Sequence, residues 1–219
     1  MKAVIFDVDG TLVDTVDLHA ASWVATFRQF GHDVAFDDVR AQIGKGGDQL
    51  MPVFVPAETV QRQGEAMEAF RKDLYMREMI GRARAFPGVA DLFRRIRADG
   101  RRVVLATSGK PDELAHYKAL AGIEDLVDAA TTSEDAERSK PHPDIFLAAL
   151  DGLPPDQAIV VGDSPYDAEA AGKAGLRTIG LLSGGFPAEV LRAAGCSALY
   201  RDPAALLEGY DASPLGRTT

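Results

Sequence analysis

The chain has 219 residues, 46% of them hydrophobic, enough for a sizeable packed interior in one domain or in a core with a smaller module. Its 24 Lys and Arg against 33 Asp and Glu leave a formal charge of −9, the opposite of the basic excess that a nucleic-acid binder needs. No run approaches the ~18 apolar residues of a membrane span, and a single cysteine, Cys196, excludes an internal disulfide and points to a reducing cytoplasm.

Met1-Lys2 lead straight into Val4-Ile5-Phe6, leaving no room for a signal peptide. That apolar run predicts a buried strand. It delivers Asp7 and Asp9 at its carboxyl end, the edge where open α/β sheets bind ligands. Gly10-Thr11 supplies a turn whose backbone donors can face an anion. Residues 15–84 then change character. Trp23, Phe27 and Phe30 recur at helical spacing, and Val39–Met51 and Glu58–Met79 are helix-like, the second with Ala66, Phe70 and Leu74 as its apolar positions. No convincing strand falls among them.

From residue 87 onward helix and strand alternate. Val89, Leu92, Phe93 and Ile96 mark an amphipathic helix closed by Gly100. Arg102–Ala106 predicts a strand ending at Thr107-Ser108-Gly109, and Pro111 opens a helix. A strand follows at Leu126–Ala129, a helix at Pro143–Leu150, and a buried strand at Ala158–Val161 that ends in Gly162-Asp163-Ser164. Pro165–Ala174 is helical, Thr178–Leu182 a strand and Pro187–Ala194 helical, with short elements to Glu208 and a polar tail from Ala212. The cluster Arg94, Arg95, Arg97, Arg101 and Arg102 reads as a solvated helix end. The pattern predicts an α/β fold, a Rossmann-like doubly wound parallel sheet with an inserted helical cap domain. The expected core is 1–14 with 85–219 and the cap is 15–84, its two crossings near 14–17 and 82–87 forming a hinge.

Four strand ends carry polar groups that a parallel sheet would bring to one edge: Asp7 and Asp9; Thr107 and Ser108; Lys140; and Asp163 with Asp167. Each alone has an ordinary explanation as a helix cap or a solvated loop residue. Together, Asp7, Asp163 and Asp167 place three negative charges in one cleft, with Asp9 a possible fourth, and Lys140 offsets one. A divalent cation is the simplest remedy, and oxygen-only ligands favour Mg²⁺ over zinc. A metal, a lysine, a hydroxyl and backbone N–H groups make an electropositive floor for a phosphoryl group. Asp7 can attack phosphorus as a carboxylate. Asp9 can protonate the leaving oxygen and then deprotonate the water that cleaves the acyl phosphate.

Asp7-Val8-Asp9-Gly10-Thr11-Leu12, Thr107, Lys140 and Gly162-Asp163-Ser164-Pro165-Tyr166-Asp167, in this order, resemble the four motifs of the haloacid dehalogenase-like hydrolase superfamily, in particular its helical-cap phosphatases and β-phosphoglucomutases. The resemblance implies Asp7 as nucleophile and Asp9 as general acid/base. It implies Mg²⁺ held by the Asp7 carboxylate, the Asp9 main-chain carbonyl and the Asp163 carboxylate, with Asp167 acting through water or from behind. Thr107 and Lys140 would hold the phosphoryl oxygens, and Ser108 and Gly109 would lie on the substrate side.

The expected activity is hydrolysis of a small phosphate monoester, a sugar phosphate or phosphoglycolate-like compound, by a cytoplasmic monomer or homodimer without nucleic-acid or membrane partners. Asp9 separates this chain from the dehalogenases, which lack an aspartate there. A β-phosphoglucomutase shares all four motifs and a histidine resembling His19. A phosphonoacetaldehyde hydrolase would need a cap lysine, for which Lys45 is the candidate, and a non-catalytic binding protein would be expected to lose Asp7 or Asp9. In the cap, His19 either steers Asp9 or the substrate, or is a helix residue at the hinge. Lys45, in Gly44-Lys45-Gly46-Gly47, either meets a second anionic group or is solvated in a turn.

Overall fold

Val4 and Phe6 turn to one side of the first strand and Ala3 and Ile5 to the other, and all four are buried. This double burial is why the strand is written as an unbroken apolar run, as parallel strands covered on both faces require. In the computed structural model, which describes residues 1–216, this strand β1 (Ala3–Phe6) lies inside a six-stranded sheet. Its partners are β4 (Arg102–Ala106) and β6 (Ala158–Gly162), both parallel. With β5 (Ala129–Thr131), β7 (Arg177–Leu181) and β8 (Cys196–Tyr200) the order is β5-β4-β1-β6-β7-β8, parallel throughout.

Val4, Phe6, Val103 and Leu105 pack against α5 (Val89–Ala98), α6 (Pro111–Ala121) and α10 (Pro203–Glu208). Ile5, Val104 and Val160 pack against α7 (Asp144–Leu150) and α8 (Pro165–Lys173) on the opposite face. A smaller cluster joins Ala168 of α8 to Leu191 of α9 (Ala188–Ala194) and to Cys196.

The residues between β2 (Val13–Asp14) and β3 (Arg84–Ala85) form α1 (Val16–Gln29), α2 (Phe36–Arg40), α3 (Gly47–Phe54) and α4 (Ala57–Leu74). They share their own core of Trp23, Phe27, Val39, Leu50, Met51 and Met67. α4 continues as a π-helical turn, Tyr75–Met79, and Tyr75, four residues after Arg71, is fully buried on its inward face. The inward face of α4 is Gly64, Met67 and Leu74, whereas Ala66 is exposed and Phe70 half-buried. No helix among the described residues is long and apolar enough to cross a membrane.

Several expectations are corrected. Strand does occur at the two chain crossings: β2 and β3 pair antiparallel, Val13 opposite Ala85 and Asp14 opposite Arg84, a ribbon too short to show alternation in sequence. The fifth strand starts at Ala129, not Leu126, because Asp128 turns its carboxylate back to Val103 N (2.8 Å) and Arg97 (2.6 Å) while Glu124–Leu126 form a 3₁₀ turn. The tail from Ala212 does not fray through residue 216. Ser213 and Leu215 are fully buried, and Arg101 donates to the Leu215 carbonyl; residues 217–219 lie outside the described part. The arginine cluster is neutralised locally, Arg94 by Asp91, Arg95 by Asp99 and Asp211, and Arg97 by Asp128.

Phe93, fully buried and 4.8 Å from the Phe6 ring, joins α5 to β1. Phe93→Ala is expected to cost about 3–5 kcal/mol, measured as a lowered midpoint in urea unfolding with an unchanged slope.

Candidate active site

Parallel register brings the carboxyl ends of β1, β4 and β6 together, and the chain leaves each of them on a polar residue. Asp7 N donates to Val161 O of the neighbouring strand at 2.9 Å, which fixes where the Asp7 side chain emerges. Asp7, Asp163 and Asp167 each offer a carboxylate oxygen within 4.8 Å of the others, all buried. Lys140, with no exposed surface, answers this charge from below: its ammonium bonds Asp7 Oδ1, donates to Ala106 O at 3.1 Å, and pairs with Asp167 Oδ1 at 2.8 Å without hydrogen-bond alignment. The hydroxyl of Thr11 donates to Asp163 Oδ1 at 2.7 Å and lies 3.3 Å from Asp7 Oδ2.

Helix capping is not Asp163's task. Ser164 caps α8 in a reciprocal box with Asp167, whose Oδ2 accepts from Ser164 N at 3.1 Å and from Ser164 Oγ at 2.6 Å. Asp163 is thereby left for other use. A Cβ at Gly10 or at Gly184 would overlap Asp163 Oδ2, so bare backbone walls that oxygen on two sides. Three carboxylates facing one ammonium, with room kept at Asp163 by two glycines, fit a small hard cation bound by oxygen.

Burial pushes the Asp7 carboxyl up from 3.8 to about 7 against the pull of Lys140, with Asp167 and Asp9 adding to the rise. Burial, then Asp7 and Asp167, raise Asp163 well above the ordinary carboxylate range. Asp9 behaves oppositely. Burial would raise it, but the His19 ring and the hydrogen bonds of His19 and Thr15, each 2.7 Å from Oδ1, bring it down to about 2. Arg71 Nη2 sits 2.6 Å from His19 Nδ1. Arginine has only donors, so Nδ1 accepts and the ring proton on Nε2 points to Asp9. Tyr75 stacks on His19 at 4.3 Å and shares a 2.5 Å hydroxyl contact with Tyr117.

A cavity of about 380 Å³ opens above this floor, between the cap helices and the sheet edge. Asp7, Asp9, His19, Lys45, Thr107, Ser108 and Gly109 line it, whereas Lys140, Asp163 and Asp167 lie beneath. The ammonium of Lys140 meets the cavity through Asp7, whose Oδ1 it bonds. Thr107 Oγ1 accepts from Gly109 N at 2.9 Å and is 3.5 Å from Asp9 Oδ2. Lys45 donates to Gln42 Oε1 at 2.5 Å and lies 4.7 Å from the Tyr166 ring centre. Gly44, at φ +109°, packs where a side chain would strike Ser164. The cap is closed onto the core through Asp48 Oδ2, which accepts from Ser139 N at 3.1 Å, and through Tyr166, which donates to Ala41 O at 2.6 Å.

Arg71, Glu113, Thr15 and Gly184 adjoin this site without having been singled out from sequence, and Thr11, read there for its turn, contributes its hydroxyl. The signal for Arg71 was a lone charge on the Gly64–Met67–Leu74 face of α4. Glu113 reads as an ordinary first-turn acid of α6, and nothing local marks Gly184.

A carboxyl that holds its proton more tightly when folded contributes stability that is complete below its unfolded value of 3.8 and lost as pH rises toward about 7. In chelator, the melting temperature is therefore expected to fall between these pH values more steeply than in Asp7→Asn. Equal slopes for the two proteins would refute the assignment.

The sequence profile of the haloacid dehalogenase-like hydrolases matches residues 1–175. The chain is 32% identical over 190 residues to a phosphoglycolate phosphatase of Cereibacter sphaeroides, covering 81% of this chain and 83% of that one. It is 32% identical over 198 residues to protein CbbY of Rhodobacter capsulatus, covering 82% and 84%. The crystal structure of a hydrolase from Pseudomonas syringae superposes with a TM-score of 0.85 at 28% identity, covering 97% of this chain and 99% of that one. The fold, the sheet-edge aspartates and these similarities agree: the chain belongs to the haloacid dehalogenase-like hydrolases, as an enzyme of their phosphatase kind.

Proposed function

We propose that the enzyme is a Mg²⁺-dependent phosphomonoesterase acting on a small phosphorylated metabolite through an aspartyl-phosphate on Asp7. The observation that carries this is the division of labour among the carboxylates. Asp7 and Asp9 line the cavity, while Lys140, Asp163 and Asp167 lie under it. Asp7 and Asp163, with the Asp9 main-chain carbonyl, would hold the cation, and Asp167 would act on it from behind. When bound, Mg²⁺ supplies charge neutralisation that lets an anionic nucleophile meet an anionic phosphoryl group.

Asp7, bonded by Lys140, would form a bond to phosphorus as the ester P–O bond breaks. Asp9, ionised in the free site, would take up a proton as the anionic ester settles beside it, give that proton to the departing oxygen, and then take one from the water that attacks the acyl phosphate, so the cycle returns both carboxylates to the state they had with ester bound. His19 and Thr15 hold Asp9 Oδ1, which leaves Oδ2 for the proton. Thr107, Ser108 and the backbone at Gly109 would meet the phosphoryl oxygens and Lys45 the remainder of the substrate, while His19, with Nε2 on Asp9 and Nδ1 on Arg71, would act through Asp9. The similarity to a protein named phosphoglycolate phosphatase supports the reaction class. The lone Cys196 suits a reducing cytoplasm.

Purified protein is expected to release phosphate from two- to six-carbon phosphate esters with Mg²⁺ and to lose this in chelator. Asp7→Asn should abolish release, and Asp9→Asn should lower it about 10²–10⁴-fold. Unchanged turnover in Asp7→Asn would sink the mechanism. Conversion of β-glucose 1-phosphate to glucose 6-phosphate without net phosphate would replace hydrolysis by a mutase reaction.

A further inference from the structure

We infer that Asp48 and Gly46 of the cap are positioning residues for Lys140: seated on Ser139, they hold the loop that carries the buried ammonium to Asp7. The tip of Lys140 is fixed by Asp7, Ala106 O and Asp167. Its main chain has no such frame. Residues 132–143, between β5 and α7, belong to no helix or strand, so no ladder holds the backbone there. A turn bond from His142 N to Ser139 O spans the lysine at 3.0 Å. Arg138 N donates to Asp144 Oδ2 of α7 at 3.1 Å, and Lys173 Nζ of α8 donates to Pro141 O at 2.7 Å. Between these two ties, Ser139 N donates to Asp48 Oδ2 at 3.1 Å. The tie that adjoins Lys140 therefore comes from the cap.

Asp48 stands in the first turn of α3, where an acidic residue is favoured in any helix. Its Oδ2 is nonetheless turned to the core, accepting from Ser139 N and, at 2.8 Å, from Gln49 Nε2. Gly46 makes this approach possible. Its backbone, at φ −76° and ψ 167°, is one that any residue adopts, so conformation does not call for glycine. Space does: a Cβ there would overlap Cβ and Oγ of Ser139. The neighbouring contacts are as close. A side chain at Gly44 would strike Ser164, one at Gly185 would strike Arg40, and Tyr166 donates to Ala41 O at 2.6 Å. Residues 40–48 of the cap thus rest on the loops that carry Lys140, Asp163 and Gly184.

The consequence is kinetic. A reacting group displaced by about 1 Å can cost about 10²-fold in rate, even when the change that moves it lies away from the chemistry. A cap that only covered the cavity would alter how tightly the ester is held. A cap that also sets the Lys140 loop alters the step at Asp7, the residue that Lys140 bonds. The first effect is read in KM and the second in kcat.

The kinetic arm of the test rests on the phosphatase reading and uses the full chain with Mg²⁺ and whichever two- to six-carbon ester turns over fastest. Asp48→Ala is expected to lower kcat about tenfold or more while KM stays within about threefold. Asp48→Asn, which keeps an acceptor for Ser139 N–H, is expected to retain most of kcat. Gly46→Ala should lower kcat as Asp48→Ala does. Adding Ser139→Gly to it should recover most of the loss, because the second change removes the atoms that the first one strikes. Hydrogen exchange without substrate is the second arm. Residues 138–142 should exchange faster in Asp48→Ala and Gly46→Ala, and near the unaltered rate in Asp48→Asn and the double variant. A loss carried by KM alone, no recovery in the double variant, or unchanged exchange at 138–142 overturns the inference and leaves the phosphatase reading standing. No phosphate from any ester with the unaltered protein overturns the phosphatase reading, and the exchange arm then upholds or overturns the seat by itself.

Discussion

The buried ammonium of Lys140 is the contact on which the rest of the site depends. It ties the ends of β1 and β4 and the first turn of α8 through Asp7, Ala106 O and Asp167. Desolvating so many charges is favourable only when each finds a partner, and a buried charge left alone costs several kcal/mol. Lys140 arrives on the loop before α7, so a residue remote in sequence decides that carboxylates can crowd at the sheet edge at all. One lysine for three carboxylates leaves a deficit, and that deficit gives the floor its appetite for a cation. The site is assembled from an imbalance that the fold holds in place.

The sheet was legible because each strand buried on both faces is an apolar run, and each run stops on a residue that belongs at a sheet edge. The aspartates, Thr107 and Lys140 could therefore be placed near one another from sequence. Their division into cavity wall and underlying support could not, because it depends on which side of the Asp7 carboxyl each group approaches. Residues that act through closeness of backbone, such as Gly184, leave no pattern in sequence. Leu215 was hidden for a different reason. A single apolar side chain among Ser, Pro and Gly has no periodicity, and the Leu215 carbonyl is held by Arg101, far away in the chain.

In the cap, helix existence was legible and helix rotation was not. Shifting the inward face of α4 from Ala66 and Phe70 to Gly64 and Met67 turns Arg71 from a solvated residue into one that meets His19. Periodicity fixes a stripe only when apolar residues are frequent, and α4 is mostly charged and polar. The same rotation links the two halves of the site. With Arg71 donating to Nδ1, His19 presents its proton to Asp9, so the protonation pattern at the sheet edge is written partly by a helix that contributes nothing to the sheet.

The short ribbon of β2 and β3 has a consequence for how such an enzyme diversifies. Because the chain enters and leaves the cap through two strands bonded to each other, the gap that the inserted segment spans is set by the ribbon and not by the insert. Helices between those strands can be lengthened, replaced or reshuffled without moving β1 or Asp7. The inserted helices are in this sense a cassette clipped into a fixed socket, free to change wherever they do not carry the His19–Arg71 contact to Asp9.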